Sequence, residues 1–239
     1  MNGLLCIYKP AGITSYDCIR HIKTLLPKKT KIGHSGTLDP FADGLLIVGI
    51  GSATKDLHNL LETTKTYLVT AKLGERTDTL DCTGSIVEEK PVPQDILFEA
   101  CAQKLMPSYE QIPPVFSNVK FKGKALHKHA RSQQVSLENL EEIAETRKKV
   151  CSIFEFRLIS QELPFITFSA TVSKGTYIRS LALDIAQQAD TLATVQTLTR
   201  TNIGNIGLSE AVSLDKLTNS NDLNEHFLRK TVYCPDTKI

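Results

Sequence analysis

Asp39 stands in the least ordinary stretch of this chain. Residues 33–44 read Gly-His-Ser-Gly-Thr-Leu-Asp-Pro-Phe-Ala-Asp-Gly. Three glycines and a proline in twelve residues exclude a regular element, and the stretch runs straight into an apolar run at 45–50. A carboxylate pinned by Pro40 at the entry to a buried strand is well placed for chemistry. The plainer reading is an Asp that hydrogen-bonds its own turn. Asp43 as a second carboxylate of a glycosidase-like pair is disfavoured, because Pro40 and Gly44 deny the two a common helical face. A phosphate loop is disfavoured too: Gly-Lys-Ser/Thr is absent, and the loop precedes a strand and not a helix.

The other reactive side chains are weaker signals. His34 shares the loop, and a lone loop histidine is commonly exposed and idle, as are His58 and His226. His127 and His129 form an H-x-H pair with no carboxylate or thiol beside them in sequence, so no metal is expected. Lys120, Lys122, Lys124, Lys128 and Arg131 place five positive charges around Phe121 with no acid between them. That is either a phosphate-contacting surface or a solvated loop. Arg179 follows Gly175 and Tyr177 at a strand-to-helix junction, where a guanidinium can fix a carboxylate or simply form a structural ion pair. Tyr67 opens an alternating run, where core packing is the ordinary role.

The elements that must position these groups read as follows. Residues 3–8 form a buried strand. A helix follows, begun by a Thr14–Asp17 capping box and ended by Pro27. Residues 45–50 are a strand buried on both faces, followed by a short helix to Leu61. In residues 65–73, Tyr67, Val69, Ala71 and Leu73 share one face. After a polar turn at 75–84, a strand at 85–88, a helix at about 95–106, a strand at 115–121 and a helix at 126–133 are expected. Strands at 150–160 and 165–172, a helix at 178–188 and a strand at 197–203 complete the pattern. Helices interleaved with strands on short connections predict an α+β fold with a mixed, largely antiparallel sheet.

Composition narrows the class. The chain has 239 residues, 41% hydrophobic and 23% charged, which suits a folded domain. The net charge of +2 neither announces nor excludes a nucleic-acid partner. Cys6, Cys18, Cys82, Cys101, Cys151 and Cys234 are scattered, without a C-x-x-C pair; reduced thiols and a cytoplasmic location are expected. There is no signal peptide pattern and no apolar run of membrane length.

Taken together, the motifs resemble one family. Residues 33–44 resemble the GHxGTLDPxAxG signature of TruB-type tRNA pseudouridine synthases. Residues 9–15 are similar to its KPxGxTS motif, and 65–67 with 73–79 to its second. Residues 112–131 resemble its substrate-gripping segment, and 173–179 its KGTYIR motif. The matches run in family order over roughly residues 3–215. The resemblance implies a pseudouridine synthase fold with helices flanking the sheet and a central cleft. It implies isomerisation of a flipped-out uridine 55 in the tRNA T-loop, with no cofactor and no metal. Asp39 is then the nucleophile, Arg179 its expected guanidinium partner, and Tyr67 a base-stacking residue that helps remove the last ring proton. Leu198 packs beneath the uracil and His34 occupies the vacated space; Lys9, Lys65 and Tyr177 join the substrate-binding set.

A catalytic domain over 1–220 is expected, with an inserted thumb at about 112–148. Its Lys120, Lys122, Lys124, Lys128 and Arg131 would grip RNA phosphates. Residues 221–239 read as a tail too short for the PUA domain of many relatives. The partner is the tRNA T-arm, with no membrane, no obligatory protein partner and a monomeric enzyme. Two rivals remain: a non-catalytic tRNA-binding or folding factor, and an Asp-dependent nucleoside glycosylase.

Overall fold

The computed structural model describes residues 1–132 and 135–228. The chain forms two compact units, one from residues 1–68 and the chain from 198 onward, the other from residues 69–197. The sequence leads one to expect a single catalytic domain over 1–220. Both boundaries fall inside strands, so no linker composition marks them.

The first unit opens with β1 (Gly3–Lys9), α1 (Ser15–Thr24), β2 (Ile32–His34), β3 (Asp43–Ile50), a 3₁₀ turn and α2 (Leu57–Glu62), and leads into β4 (Lys65–Leu73). β1 and β3 pair antiparallel from Gly3↔Ile50 to Lys9↔Gly44, and β2 lies antiparallel to β3. The alternation of strand side chains divides the core in two. Leu5, Ile7, Leu46, Val48 and Ile50 meet Cys18, Ile19 and Ile22 of α1. Leu4, Cys6, Leu45 and Ile47 meet Leu57 and Leu60 of α2, with Ile203 and Ile206. The Thr14–Asp17 capping box forms as expected, and its hydrogen bonds hold the Asp17 carboxyl down at about 2.

The second unit holds the end of β4, then β5 (Glu75–Thr77), β6 (Ile86–Glu89), α3 (Phe98–Gln103), β7 (Ser108–Gln111), β8 (Lys120–Phe121), β9 (Lys124–Ala125), α4 (Leu126–Ser132), α5 (Leu137–Glu145), β10 (Lys149–Glu162), β11 (Phe165–Val172), α6 (Ile178–Gln187) and the start of β12 (Ala193–Ile203). Its sheet runs β4-β11-β10-β7, and β10 pairs antiparallel with both β11 and β7. Phe98 of α3 packs on Phe156 and Phe168 of that sheet.

The chain then returns to the first unit through the end of β12, β13 (Ile206–Gly207), β14 (Val212–Ser213) and α7 (Ser220–Glu225). β12 runs parallel to β3, and β14 parallel to β1. The fold is thus α+β, with a mixed sheet flanked by helices. Among the described residues no helix is long and apolar enough to cross a membrane.

Several local expectations need correction. The strand expected at 115–121 survives only at Lys120–Phe121, because the carbonyls of Phe116 and Ser117 accept side-chain hydrogen bonds from Arg179 and His127. The helix expected from 95 begins at Phe98, after a turn closed by Ile96 N–H to Pro93 O. Residue 133 of the helix expected at 126–133 lies outside the described residues. The expected tail folds up to residue 228: Leu223 is buried, the Phe227 ring lies against Gly3, and Leu228 N–H bonds to Leu4 O. Residues 229–239, including Cys234, lie outside the described residues.

Candidate active site

Asp39 is half-buried and its backbone is fixed on both sides. Before it, Leu38 N–H donates to Ser15 Oγ at 2.9 Å, and Ser15 sits in the first turn of α1. After it, Pro40 O accepts Gly12 N–H at 2.8 Å, and Ala42 N–H closes a turn onto Asp39 O at 3.2 Å. Proline favours such a turn by presetting φ. Beneath the turn lies the ammonium of Lys9, fully buried at the end of β1. It donates to the carbonyls of Ala42 (2.6 Å), Ile13 (2.7 Å), Pro10 (2.9 Å) and Pro40 (3.3 Å). One cation therefore fastens the 10–13 loop to the 40–42 loop. Burial lowers the pKa of Lys9, while the charges of Asp43 and Asp39 act in the opposite direction. Asp43 opens β3 and accepts a 2.6 Å hydrogen bond from the Tyr8 hydroxyl.

A second buried cation shapes the same loop. Arg200 on β12 is 1% exposed. Its Nε donates to Leu45 O (2.8 Å) and its Nη2 to Gly36 O (3.1 Å). Opposite Arg200 in the ladder stands Gly44, at φ +107°, where a Cβ would lie 2.4 Å from Arg200 O. Only glycine permits both that φ and that approach. His34 Nδ1 accepts Gly36 N–H at 3.3 Å; burial and then the Arg200 charge push its pKa down, so the imidazole is neutral at pH 7. Tyr67 and Leu198 are buried on the inward phases of β4 and β12.

Lys9 and Lys65, expected in the substrate-binding set, both turn their ammonium groups to backbone carbonyls. Lys65 is buried and donates to the carbonyls of Leu60, Leu61 and Thr63, satisfying the C-terminal carbonyls of α2. Both ammonium groups are directed at backbone oxygen, where burial requires partners.

In the second unit, Arg179 lies in the first turn of α6 and is almost wholly buried. Its guanidinium donates to Thr79 O (2.5 Å) and Phe116 O (2.9 Å) and stands 3.5 Å from Asp81 Oδ2. The other oxygen of Asp81 accepts from Thr79 Oγ1, Thr83 Oγ1 and Thr83 N–H. Asp81 is thus locked before it meets the arginine. Tyr177, just ahead of α6, has the Lys149 ammonium 4.6 Å from its ring centroid. Its peptide is gripped by the fully buried Gln111.

The expected thumb has its own small core of Val115, Leu126, Leu140 and Ala144. Its tip is the β8–β9 hairpin, turning through Lys122 and Gly123, both at positive φ. Lys120, Lys122, Lys124, Lys128 and Arg131 are all exposed. The H-x-H histidines brace this element: His127 bonds to Ser117 O and His129 to Phe121 O. Arg76 ties it to the β5–β6 hairpin through Glu141 (2.6 Å) and Glu88 (3.1 Å).

Ser15, Asp81, Gln111 and Arg200 hold candidate residues of their own units in place, a part that sequence reasoning did not assign them, although Ser15 closes the KPxGxTS motif. Arg200 had a readable signal, being a charge in the inward phase of a strand beside Leu198. The others look like ordinary polar residues of turns and element ends.

Comparison with known proteins supplies the context. Residues 23–178 match the TruB family pseudouridylate synthase N-terminal domain, a span holding Asp39, Tyr67, the thumb and Tyr177 and ending just before Arg179. A Burkholderia lata protein named tRNA pseudouridine synthase B is 39% identical over 93% of this chain and 66% of its own length. Proteins of the same name from Clostridium kluyveri and Caldicellulosiruptor saccharolyticus are 37% and 36% identical, with 74% and 80% of their lengths covered. A chain in the solved structure of a Cbf5–Nop10–Gar1 complex aligns at TM-score 0.67 and 25% identity, over 90% of this chain and 53% of its own. A second, from an H/ACA RNP bound to a substrate RNA containing 2'-deoxyuridine, shares the fold at TM-score 0.63 and 22% identity. This chain therefore spans about half the length of the solved chains it matches.

Proposed function

Because this chain belongs to the TruB family of pseudouridylate synthases, we propose that it converts uridine 55 of the tRNA T-loop to pseudouridine with Asp39 as the nucleophile. The observation that carries this reading is the fastening of the Asp39 loop. Ser15 holds the residue before it, and Gly12 with the buried Lys9 ammonium holds the residues after it. Such preorganisation is what a nucleophile requires.

A half-buried carboxylate does not reach a stacked base, so the uridine must be everted, at a cost of about a few kcal/mol. The carboxylate then adds to the uracil ring or to ribose C1'. The N1–C1' bond breaks, the uracil turns, C5 bonds to C1', the bond to Asp39 breaks to return the free carboxylate, and the C5 proton is lost while N1 takes one up. Tyr67 stacks on the base and assists that last proton transfer. Leu198 provides an apolar floor, and the neutral His34 ring takes the space the base has left. Arg179, held by Asp81 and two carbonyls, supplies a fixed positive charge to the reaction. Lys9 and Lys65 are assigned to the framework and not to substrate.

The thumb grips the T-arm phosphates through Lys120, Lys122, Lys124, Lys128 and Arg131, offsetting the cost of eversion. The enzyme works as a monomer in the cytoplasm without an obligatory protein partner, which sedimentation at working concentration checks. For the chemistry, tritium release from tRNA labelled at uracil C5 is the test. Asp39→Asn abolishes release while tRNA binding persists. Normal turnover by that variant would end the nucleophile assignment, and turnover of free nucleoside would favour a glycosylase.

A further inference from the structure

We propose that Gln111 is a positioning residue for the reaction, setting the peptide of Tyr177 and thereby the first turn of α6 that carries Arg179. This rests on the functional reading of Arg179 given above. Gln111 ends β7, is 0% exposed, and addresses a single residue with both ends of its amide. Its Oε1 accepts Tyr177 N–H at 2.8 Å and its Nε2 donates to Tyr177 O at 3.0 Å. A side-chain amide here does what a neighbouring strand would do for a backbone. The side chain at the Tyr177 cap position makes no capping hydrogen bond to α6, so this outside amide fixes where the helix begins.

The amide cannot turn over. Nε2 gives its second hydrogen to the Tyr109 hydroxyl, and Oε1 also faces the Cys151 thiol at 3.6 Å. With two donors and two acceptor positions all committed, a flipped amide would set N–H against N–H. Tyr109 in turn hydrogen-bonds Asp184, further along the same helix. Next to Gln111, Ile112 O accepts Ser180 Oγ at 2.8 Å, and Phe116 O accepts Arg179 Nη2 at 2.9 Å. Residues 109–116, which lead into the thumb segment, are therefore bonded to α6 from Tyr177 to Asp184, with Gln111 at the start of the helix, two residues ahead of the arginine. A shift in this stretch moves the arginine turn with it.

Gln111→Met keeps the shape and removes both bonds. Gln111→Glu keeps the acceptor for Tyr177 N–H and supplies a donor only when protonated. The titratable and charged groups around it are Tyr109, Cys151, Lys149, Asp184 and Arg179. The experiment measures single-turnover tritium release, tRNA Kd and thermal midpoint for the full chain and both variants between pH 6 and pH 8. Gln111→Met is expected to slow release about 10-fold to 100-fold while Kd stays within about threefold. Gln111→Glu is expected to recover most of the rate at pH 6 and lose it toward pH 8, steeper than wild type. A Gln111→Met rate within about threefold of wild type, or a Gln111→Glu profile parallel to wild type, overturns the proposal. Should Gln111→Met fail to fold, the Gln111→Glu profile decides alone. Wild-type protein that releases no tritium would sink the functional reading itself, an outcome distinct from active wild type with indifferent Gln111 variants.

Discussion

At the scale of single residues, the site depends on buried cations whose partners are backbone oxygens. Lys9 shows the logic. The family resemblance implies a substrate contact for it, yet its ammonium lies on four carbonyls of two loops. Taking it away leaves those carbonyls to find other donors in a dry setting. Lys9→Met is therefore expected to destabilise the chain by about 2–4 kcal/mol, read as a lower urea midpoint with unchanged slope. A midpoint equal to wild type would show that the ammonium fastens nothing. Asp39 and Arg179 could be named from motif and junction. Arg200 offered a weaker signal, a charge in the inward phase of a strand, but its partner was hidden, since its Nε meets Leu45 O across 155 positions; Asp81 looked like an ordinary turn residue.

At the scale of elements, α6 is the informative piece. Burial pushes the Asp184 carboxyl up to about 7, and a hydrogen bond from Tyr109 only partly opposes this. Between the ordinary carboxylate value and about 7, folded Asp184 keeps a proton that the unfolded chain has lost. Stability therefore falls as pH rises from about 4 to about 7 and levels off above. Asp184→Asn cannot titrate, so its advantage over wild type should grow through that window, to at most about 4 kcal/mol at pH 8. Urea midpoints at pH 5 and pH 8 check this; an unchanged difference between the two proteins at both pH values would refute it. α1, β3 and β4 were readable because a capping box, a two-sided apolar run and a strict alternation, respectively, state their burial. β7 and α5 were not. β7 is four residues long and acquires its identity from β10, while α5 lies in a stretch whose acids masked Leu140 and Ala144 on its inner face.

At the scale of the whole molecule, a net charge of +2 conceals an unequal distribution. The proposed thumb collects Lys120, Lys122, Lys124, Lys128 and Arg131, and the acids of α5 follow directly and offset most of them in the sum. Changing Lys120, Lys122 and Lys124 together to Ala should weaken tRNA binding and flatten its salt dependence. The slope should fall by about two units of log Kd per log salt, at roughly 0.7 for each phosphate no longer neutralised. An unchanged slope would remove the thumb from the RNA surface. The central claim is that one fastened carboxylate isomerises a tRNA uridine. Its most direct test is to incubate unmodified tRNA with the purified protein and map pseudouridine along the strand. The account predicts a single new pseudouridine, at position 55 of the T-loop, absent when Asp39→Asn replaces the wild type. No pseudouridine at that position, or the same mark left by Asp39→Asn, would contradict it.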